Sequence, residues 1–223
     1  MINKFDNELK TKYAEYLLLI KDIVHLTDDL DKLITKNLKK NAFLKTTIQF
    51  AKIAVETPSC IIQNLKIGYL SHVFILLRWY LEMNHLCLYL WKNPDEYRAW
   101  QNGKQIRPKN IGKYIKGIGF HPCKEIYQEW SNVIHGNSSF IDNYHVLANM
   151  SPKNENAIVL IGNALMNTIW VSQKYNYLLG KIIQPHLRNE YENIVLRYNR
   201  LDERIDNLIQ EQNQLENKIM KNN

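Results

Sequence analysis

The chain predicts an all-α fold, a helical bundle with a long C-terminal coiled-coil helix. Three observations predict it. Gly and Pro are sparse, 8 and 6 in 223 residues, and fall at boundaries between apolar stretches. Apolar residues recur at helical spacing along most of the length. In the last part the seam positions, all but one apolar or aromatic, alternate four and three apart without a failure.

The first helix runs from about Phe5 to His25. Thr27-Asp28-Asp29 supplies a cap and an acidic first turn for a second helix. Its pattern continues through Leu33, Leu38, Phe43, Leu44, Ile48 and Ile53, with a break near Asn41. Thr57-Pro58-Ser59 ends that helix and starts the next, because Pro is favoured at the first helical position. The helix from Pro58 reaches about Trp91, bends at Gly68 and is apolar around most of its circumference, as a central helix is. Asn93-Pro94-Asp95-Glu96 opens another, with cap, Pro and acidic first turn. Gly103, Pro108, Gly112, Gly117 and Gly119 then break the chain into loop and short helix. A helix from near Pro122 ends by Gly136, residues 137–155 form a polar surface loop, and Ala157 to Ile183 is a further apolar helix closed by Gln184-Pro185.

The final stretch places Leu187, Tyr191, Ile194, Tyr198, Leu201, Ile205, Leu208, Gln212, Leu215 and Ile219 on one heptad seam. Polar residues fill nearly every other position, which predicts a coiled coil and hence a homo-oligomer. Gln212 interrupts the seam, and a polar group there fixes register or strand number. The competing expectation is a single amphipathic helix packed on its own domain. The division that follows is 1–56, N-terminal helices packing on the core; 57–184, the core; and 185–223, the tail.

Composition narrows the function classes. Hydrophobic residues make up 45% and charged residues 23%, which excludes wholesale disorder. The formal net charge is +7, and the segment from Arg98 to Lys124 accounts for all of it: Arg98, Lys104, Arg107, Lys109, Lys113, Lys116 and Lys124, with no Asp or Glu. Such a segment suits a phosphate-bearing partner or an acidic protein surface; its bland alternative is a solvated loop. Cys60, Cys87 and Cys123 are far apart and odd in number, so neither a disulfide framework nor a zinc site is indicated. Cys60 and Cys87 read as small hydrophobes, in a reducing, cytoplasmic setting. The start, MINKFDNELK, has no apolar signal core. Residues 69–91 approach membrane-spanning length, but His72, Arg78, Glu82 and His85 interrupt them, which argues against a membrane partner. No glycine-rich phosphate loop, HExxH or CxxC motif is present, so no cofactor and no metal is expected.

The polar residues inside the apolar stretch LLRWYLEMNHLCLYLW, 76–91, are costly to bury. At about 100° per residue, Glu82 lies roughly 40° to one side of Arg78 and His85 roughly 20° to the other. All three project from one helix face. Arg78 and Glu82 are an i,i+4 pair that can satisfy each other, so a structural ion pair with a hydrogen-bonded core histidine is the plainer alternative. A second polar stretch, EWSNVIHGNSSF at 129–140, puts Ser131, Asn132 and His135 near a helix end. His135 precedes Gly136, where the helix dipole also favours an imidazolium. Histidine can give or take a proton near neutral pH.

The motifs LLRWYLE, NPDEYRAW and WSNVIHGN, in that order in a helical background, resemble the HEPN superfamily (higher eukaryotes and prokaryotes nucleotide-binding) over about residues 57–184. The resemblance implies a small, often dimeric helical bundle. It also implies either a metal-independent endoribonuclease of bacterial toxin, abortive-infection or phage-defence systems, or a non-catalytic interaction module. The family signature is Arg, four to six residues, then His. Arg78 and His85 meet that spacing, with Trp79 where a polar residue is usual. The positions separated from His135 by four to six residues, Trp130, Glu129 and Gln128, carry no Arg. Under this resemblance Arg78 holds the phosphate, Glu82 orients Arg78, His85 or His135 is the acid/base, and Asn132 bonds phosphate or sugar. Lys104, Arg107, Lys109, Lys113 and Lys116 hold the RNA backbone, and Trp100, Tyr114 and Phe120 stack on bases. Partners would be RNA and an antitoxin or defence-complex protein. The alternative function is a non-catalytic scaffold or adaptor assembled through the C-terminal seam.

Overall fold

The computed structural model describes residues 5–37, 42–107, 110–112, 150–151 and 153–222. Among them the fold is an all-α bundle: α1 Asp6–Lys12, α2 Ala14–Asn37, α3 Ala42–Ile67, α4 Leu70–Lys92, α5 Pro94–Gln101, α6 Glu155–Ile183 and α7 Arg188–Asn222. The helix expected from Pro122 to Gly136 lies outside the described residues. α6 is the central element and packs against α2, α3, α4 and α7. Its capping residue is Asn154, whose Oδ1 accepts from the amides of Asn156 (2.9 Å) and Ala157 (3.3 Å).

Three boundaries differ from expectation, each for a local reason. Thr27 does not start a helix; α2 runs straight through it. Thr27 is buried, and its hydroxyl lies 2.6 Å from Asn176 Oδ1 and 3.1 Å from the Ile23 carbonyl. A tertiary partner therefore takes the group that would have capped. The break falls earlier, at Tyr13.

Pro58 lies inside α3 instead of opening a helix. A proline there deprives the Ala54 carbonyl of its i+4 amide. The buried hydroxyl of Tyr80, from α4, donates to that carbonyl at 3.2 Å. The next helix supplies the hydrogen bond the proline removes.

Gly68 is a full stop and not a bend. Its φ is +82°, the left-handed conformation that glycine adopts without cost. Gly68 N–H donates to the Leu65 carbonyl (3.0 Å) and Tyr69 N–H to the Asn64 carbonyl (2.9 Å), the paired bonds of a Schellman cap. The single long helix expected from Pro58 to Trp91 is thus the end of α3 and the whole of α4, which pack on each other. α5 begins at Pro94 as read, but Asn93 does not cap it; its Nδ2 donates back to the Tyr89 carbonyl at 2.7 Å.

The heptad helix α7 lies on α2 and α6 of its own chain. Ile194, Leu201, Ile205, Leu208 and Gln212 of the seam are buried there. Polar bonds fix the register: Arg204 reaches Glu15 (2.7 Å) and Asp22 (2.5 Å), and Arg197 reaches Asp29 (2.7 Å). The amphipathic alternative therefore describes α7, and the seam that predicted a partner chain is filled internally. Gln212 sits in a polar layer: Tyr16 OH donates to its Oε1 at 3.3 Å, and its Nε2 donates to Asn163 Oδ1 at 3.1 Å. Gly162 makes the room, since a Cβ at that position would lie 2.4 Å from Gln212 Oε1. No helix among the described residues is long and apolar enough to cross a membrane.

Candidate functional site

α4 presents three kinds of surface. One arc, with Val73, Leu77, Tyr80, Leu81, Asn84, Cys87 and Leu88, is buried against the bundle. The opposite arc carries His72, Ile75 and Trp79 outward, the last 46% exposed. Arg78 stands at the boundary, its side chain 15% exposed, with Glu82 at 44%.

The i,i+4 spacing does bring Arg78 and Glu82 together: Arg78 Nε donates to Glu82 Oε1 at 2.9 Å. This is a charge-assisted bond on an edge of the bundle, half in contact with solvent. His85 lies two turns along the same helix but rotates toward the buried arc and is 7% exposed. The common face inferred from the sequence is therefore split. Glu82 opens outward, Arg78 lies flat at the rim, and His85 is enclosed. Asn132 and His135 lie outside the described residues.

The cationic segment is more balanced at its start than its count implies. Lys104 Nζ lies 3.1 and 3.3 Å from the carboxylate oxygens of Glu96, and Arg98 lies 3.2 Å from Asp95. Those acids belong to the first turn of α5, just ahead of the counted window, and the Gly103 turn folds Lys104 back over them. Gly103 has φ +87°, and Lys104 N–H donates to the Ala99 carbonyl at 3.0 Å. Arg107 is exposed. Lys109, Lys113 and Lys116 lie outside the described residues, as do Tyr114 and Phe120. Trp100 is not held out for a base; it packs between Phe50 and Tyr97, each ring centre 6.2 Å away.

The cysteines separate as well. Cys60 is exposed, contrary to the apolar reading of its neighbours. Cys87 is fully buried, and burial pushes its thiol up to about 12 against the opposing effect of the Thr47 and Tyr175 hydrogen bonds. A thiol so far from ionisation is no nucleophile at neutral pH.

Sequence reasoning passed over a ladder of polar side chains that secure buried helix carbonyls. Asn84 Nδ2 donates to Val171 O (3.0 Å), Asn176 Nδ2 to Ile23 O (2.9 Å), and Tyr175 OH to Thr47 O (3.2 Å). The available signal was amide residues on otherwise apolar helices. Their role is to hold α2, α3, α4 and α6 in register, since an unmet buried polar group is costly. Asp31, on α2, is a further polar group of the interior edge. Its Oδ1 is buried without a hydrogen bond, and burial raises its pKa, against the pull of Lys52 and Lys32 and with the push of Asp28. No cluster of three His, Cys, Asp or Glu suited to a metal ion occurs among the described residues.

Comparison of the chain with family models, with curated proteins and with solved structures returns no match.

Proposed function

We propose that the chain is a metal-independent, HEPN-like endoribonuclease, an effector of a bacterial phage-defence or toxin system that works as a dimer or higher oligomer. The observation that supports this reading is the Arg78–Glu82 pair at the rim of α4. A guanidinium whose Nε is fixed by a carboxylate has its plane set in advance, which is what stabilising a phosphorane requires.

In this reading Arg78 takes the phosphate, Glu82 orients it, and His85 or His135 moves the protons. The 2′-oxygen bonds to phosphorus as its proton passes to an imidazole. The bond from phosphorus to the 5′-oxygen breaks, and that oxygen takes a proton from an imidazolium. The products are a 2′,3′-cyclic phosphate and a 5′-hydroxyl. Asn132 bonds phosphate or sugar. Arg107, Lys109, Lys113 and Lys116 follow the backbone, and Lys104 exchanges Glu96 for phosphate, a small loss for an exposed pair. An antitoxin or a defence-complex protein is the regulatory partner.

Incubating purified chain with RNA in the presence of a metal chelator tests this reading. Cleavage is expected, slowed by about 100-fold or more in Arg78→Ala and in one of His85→Ala and His135→Ala. RNA left intact at high protein concentration, or cut equally well by all three variants, overturns it.

The second reading is a non-catalytic helical scaffold or adaptor. His85 favours it, being enclosed on the flank of α4 that bears Leu81 and Leu88. Under that reading RNA is untouched and the same substitutions alter only folding or assembly.

A further inference from the structure

α7 is gripped differently from α6. α6 is buried on turn after turn from Ala157 to Ile183. α7, 35 residues long, gives the core the narrow aliphatic seam of Ile194, Leu201, Ile205 and Leu208. Polar layers adjoin that seam. Gln173 Nε2 donates to Asp202 Oδ1 at 3.0 Å, and Gln212 bonds Asn163 at 3.1 Å and Tyr16 at 3.3 Å. These groups find water when the helix lifts, so their net hold is slight. Burial raises the Asp202 pKa against the Gln173 bond, so docking strips that carboxylate of part of its hydration.

The rest of the grip is ionic. Glu15, Asp22 and Asp29 recur every seven residues along α2, and Arg197 and Arg204 are seven apart on α7. The two rows run antiparallel and interlock. Arg197 Nη1 donates to Asp29 at 2.7 Å, and Arg204 bridges Asp22 at 2.5 Å and Glu15 at 2.7 Å. The side chains of this row are 34% to 51% exposed, so salt screens it. Seven residues past Arg204 stands Glu211, of the wrong sign, and the row ends. The joint at the base of α7 is loosely filled. Gln184, Tyr191, Glu192, Val195 and Leu196 line an open hollow of about 770 Å³ there.

We propose that α7 is a releasable strap, which swings from the joint at Pro185 and His186 as one helix and bares the groove between α2 and α6 while the other helices stay packed. Its length exceeds the roughly 12–15 residues below which an isolated helix is marginal. The helices left behind keep their own cross-bonds, from Asn84 to Val171, Asn176 to Ile23 and Tyr175 to Thr47. An element with a narrow apolar seam and a solvent-exposed ionic hold belongs to the low end of local opening free energies. The strap thus keeps a heptad seam out of reach until its ionic row is loosened.

Native-state hydrogen exchange of the full chain tests this without RNA or a second chain, and so apart from the nuclease reading. Amides from Ile194 to Gln212 are expected to share one opening equilibrium, about tenfold or more ahead of the amides of α6. Raising sodium chloride from about 0.1 M to about 1 M, where the screening length falls from about 10 Å to about 3 Å, is expected to increase that opening about threefold. Arg204→Gln is expected to do the same at low salt alone. A disulfide between Gly162→Cys and Gln212→Cys, in a Cys60→Ser, Cys123→Ser background, ties α7 to α6 where the two helices approach most closely on the Gln212 side chain. It is expected to bring exchange in α7 down to that of α6, and reduction to restore it. Amides of α7 as well protected as those of α6 in the untethered chain overturn the proposal. So does an opening that salt leaves unmoved, or one that the disulfide leaves unchanged.

Discussion

Two ridges in this molecule follow the same alternation of threes and fours, and they meet different fates. The ridge of α7 is ten residues long in the heptad sense and is covered by α2 and α6 of its own chain. The ridge on the outer arc of α4, His72, Ile75, Trp79, Glu82 and Leu86, is half that length and stands open at Ile75 and Trp79. Periodicity reports that a stripe will be covered but not what covers it. That decision belongs to residues elsewhere: Glu15, Asp22 and Asp29 on α2, which receive Arg204 and Arg197, and Gly162 on α6, which leaves space for Gln212. On the outer arc of α4, by contrast, Glu82 is held by Arg78 of the same helix while Ile75 and Trp79 face outward.

Leu208→Ala attacks the closed ridge where it is most deeply buried and has the largest expected effect, a loss of about 2–5 kcal/mol. The loss is expected to be the same at every protein concentration. A loss that changes with concentration would mean that the ridge is closed by another chain.

Tyr80→Phe comes next and probes the inner face of α4. It leaves the Ala54 carbonyl unmet and is expected to cost about 1–3 kcal/mol by denaturant titration. In a Pro58→Ala background, where a helical amide is restored, the same change is expected to cost much less, and a double-mutant cycle reads the coupling.

Arg204→Ala is expected to cost about 1 kcal/mol or less, because its bonds to Glu15 and Asp22 are partly screened by solvent. The loss should shrink further in high salt. Ile75→Ser, on the open ridge, is expected to shift dilute-solution stability by no more than about 0.5 kcal/mol, in contrast to Leu208→Ala.

Asp31→Asn is read as a slope in pH. The folded chain holds the Asp31 proton more tightly than the unfolded chain does, since burial raises its pKa above 3.8. Below that value both states are protonated. As pH rises through the window from 3.8 to the raised value, the unfolded state ionises first, so stability falls with rising pH across it. The amide variant is expected to lack this part of the slope when unfolding is measured from pH 3 to 7; an unchanged slope would show that Asp31 does not supply it.

The helical class, the start of α5, the limits of α6 and the stop at Gln184 were legible because they depend on spacing and local chemistry. The misread boundaries share a cause: a residue with a strong local preference had a stronger distant partner. Thr27 found Asn176, and the gap left by Pro58 found Tyr80. Gly68 was read as a bend because its left-handed φ is a backbone state that composition does not reveal. At the candidate site the Arg78–Glu82 bond was legible from helical geometry alone. The enclosure of His85 was not, since a difference of roughly 60° between it and Glu82 suffices to put one in the bundle and the other in water. Lys104 was counted as a spare cation because Glu96 stood two residues outside the window.

The Pro58–Tyr80 contact also bears on how the chain reaches its native state. A proline in mid-helix makes α3 a poor helix in isolation, so its two halves have little reason to align before α4 arrives with the missing donor. The pair should therefore form as one hairpin-like foldon. In native-state hydrogen exchange, amides on both sides of Pro58 and those around Tyr80 are expected to open together, with one shared protection free energy.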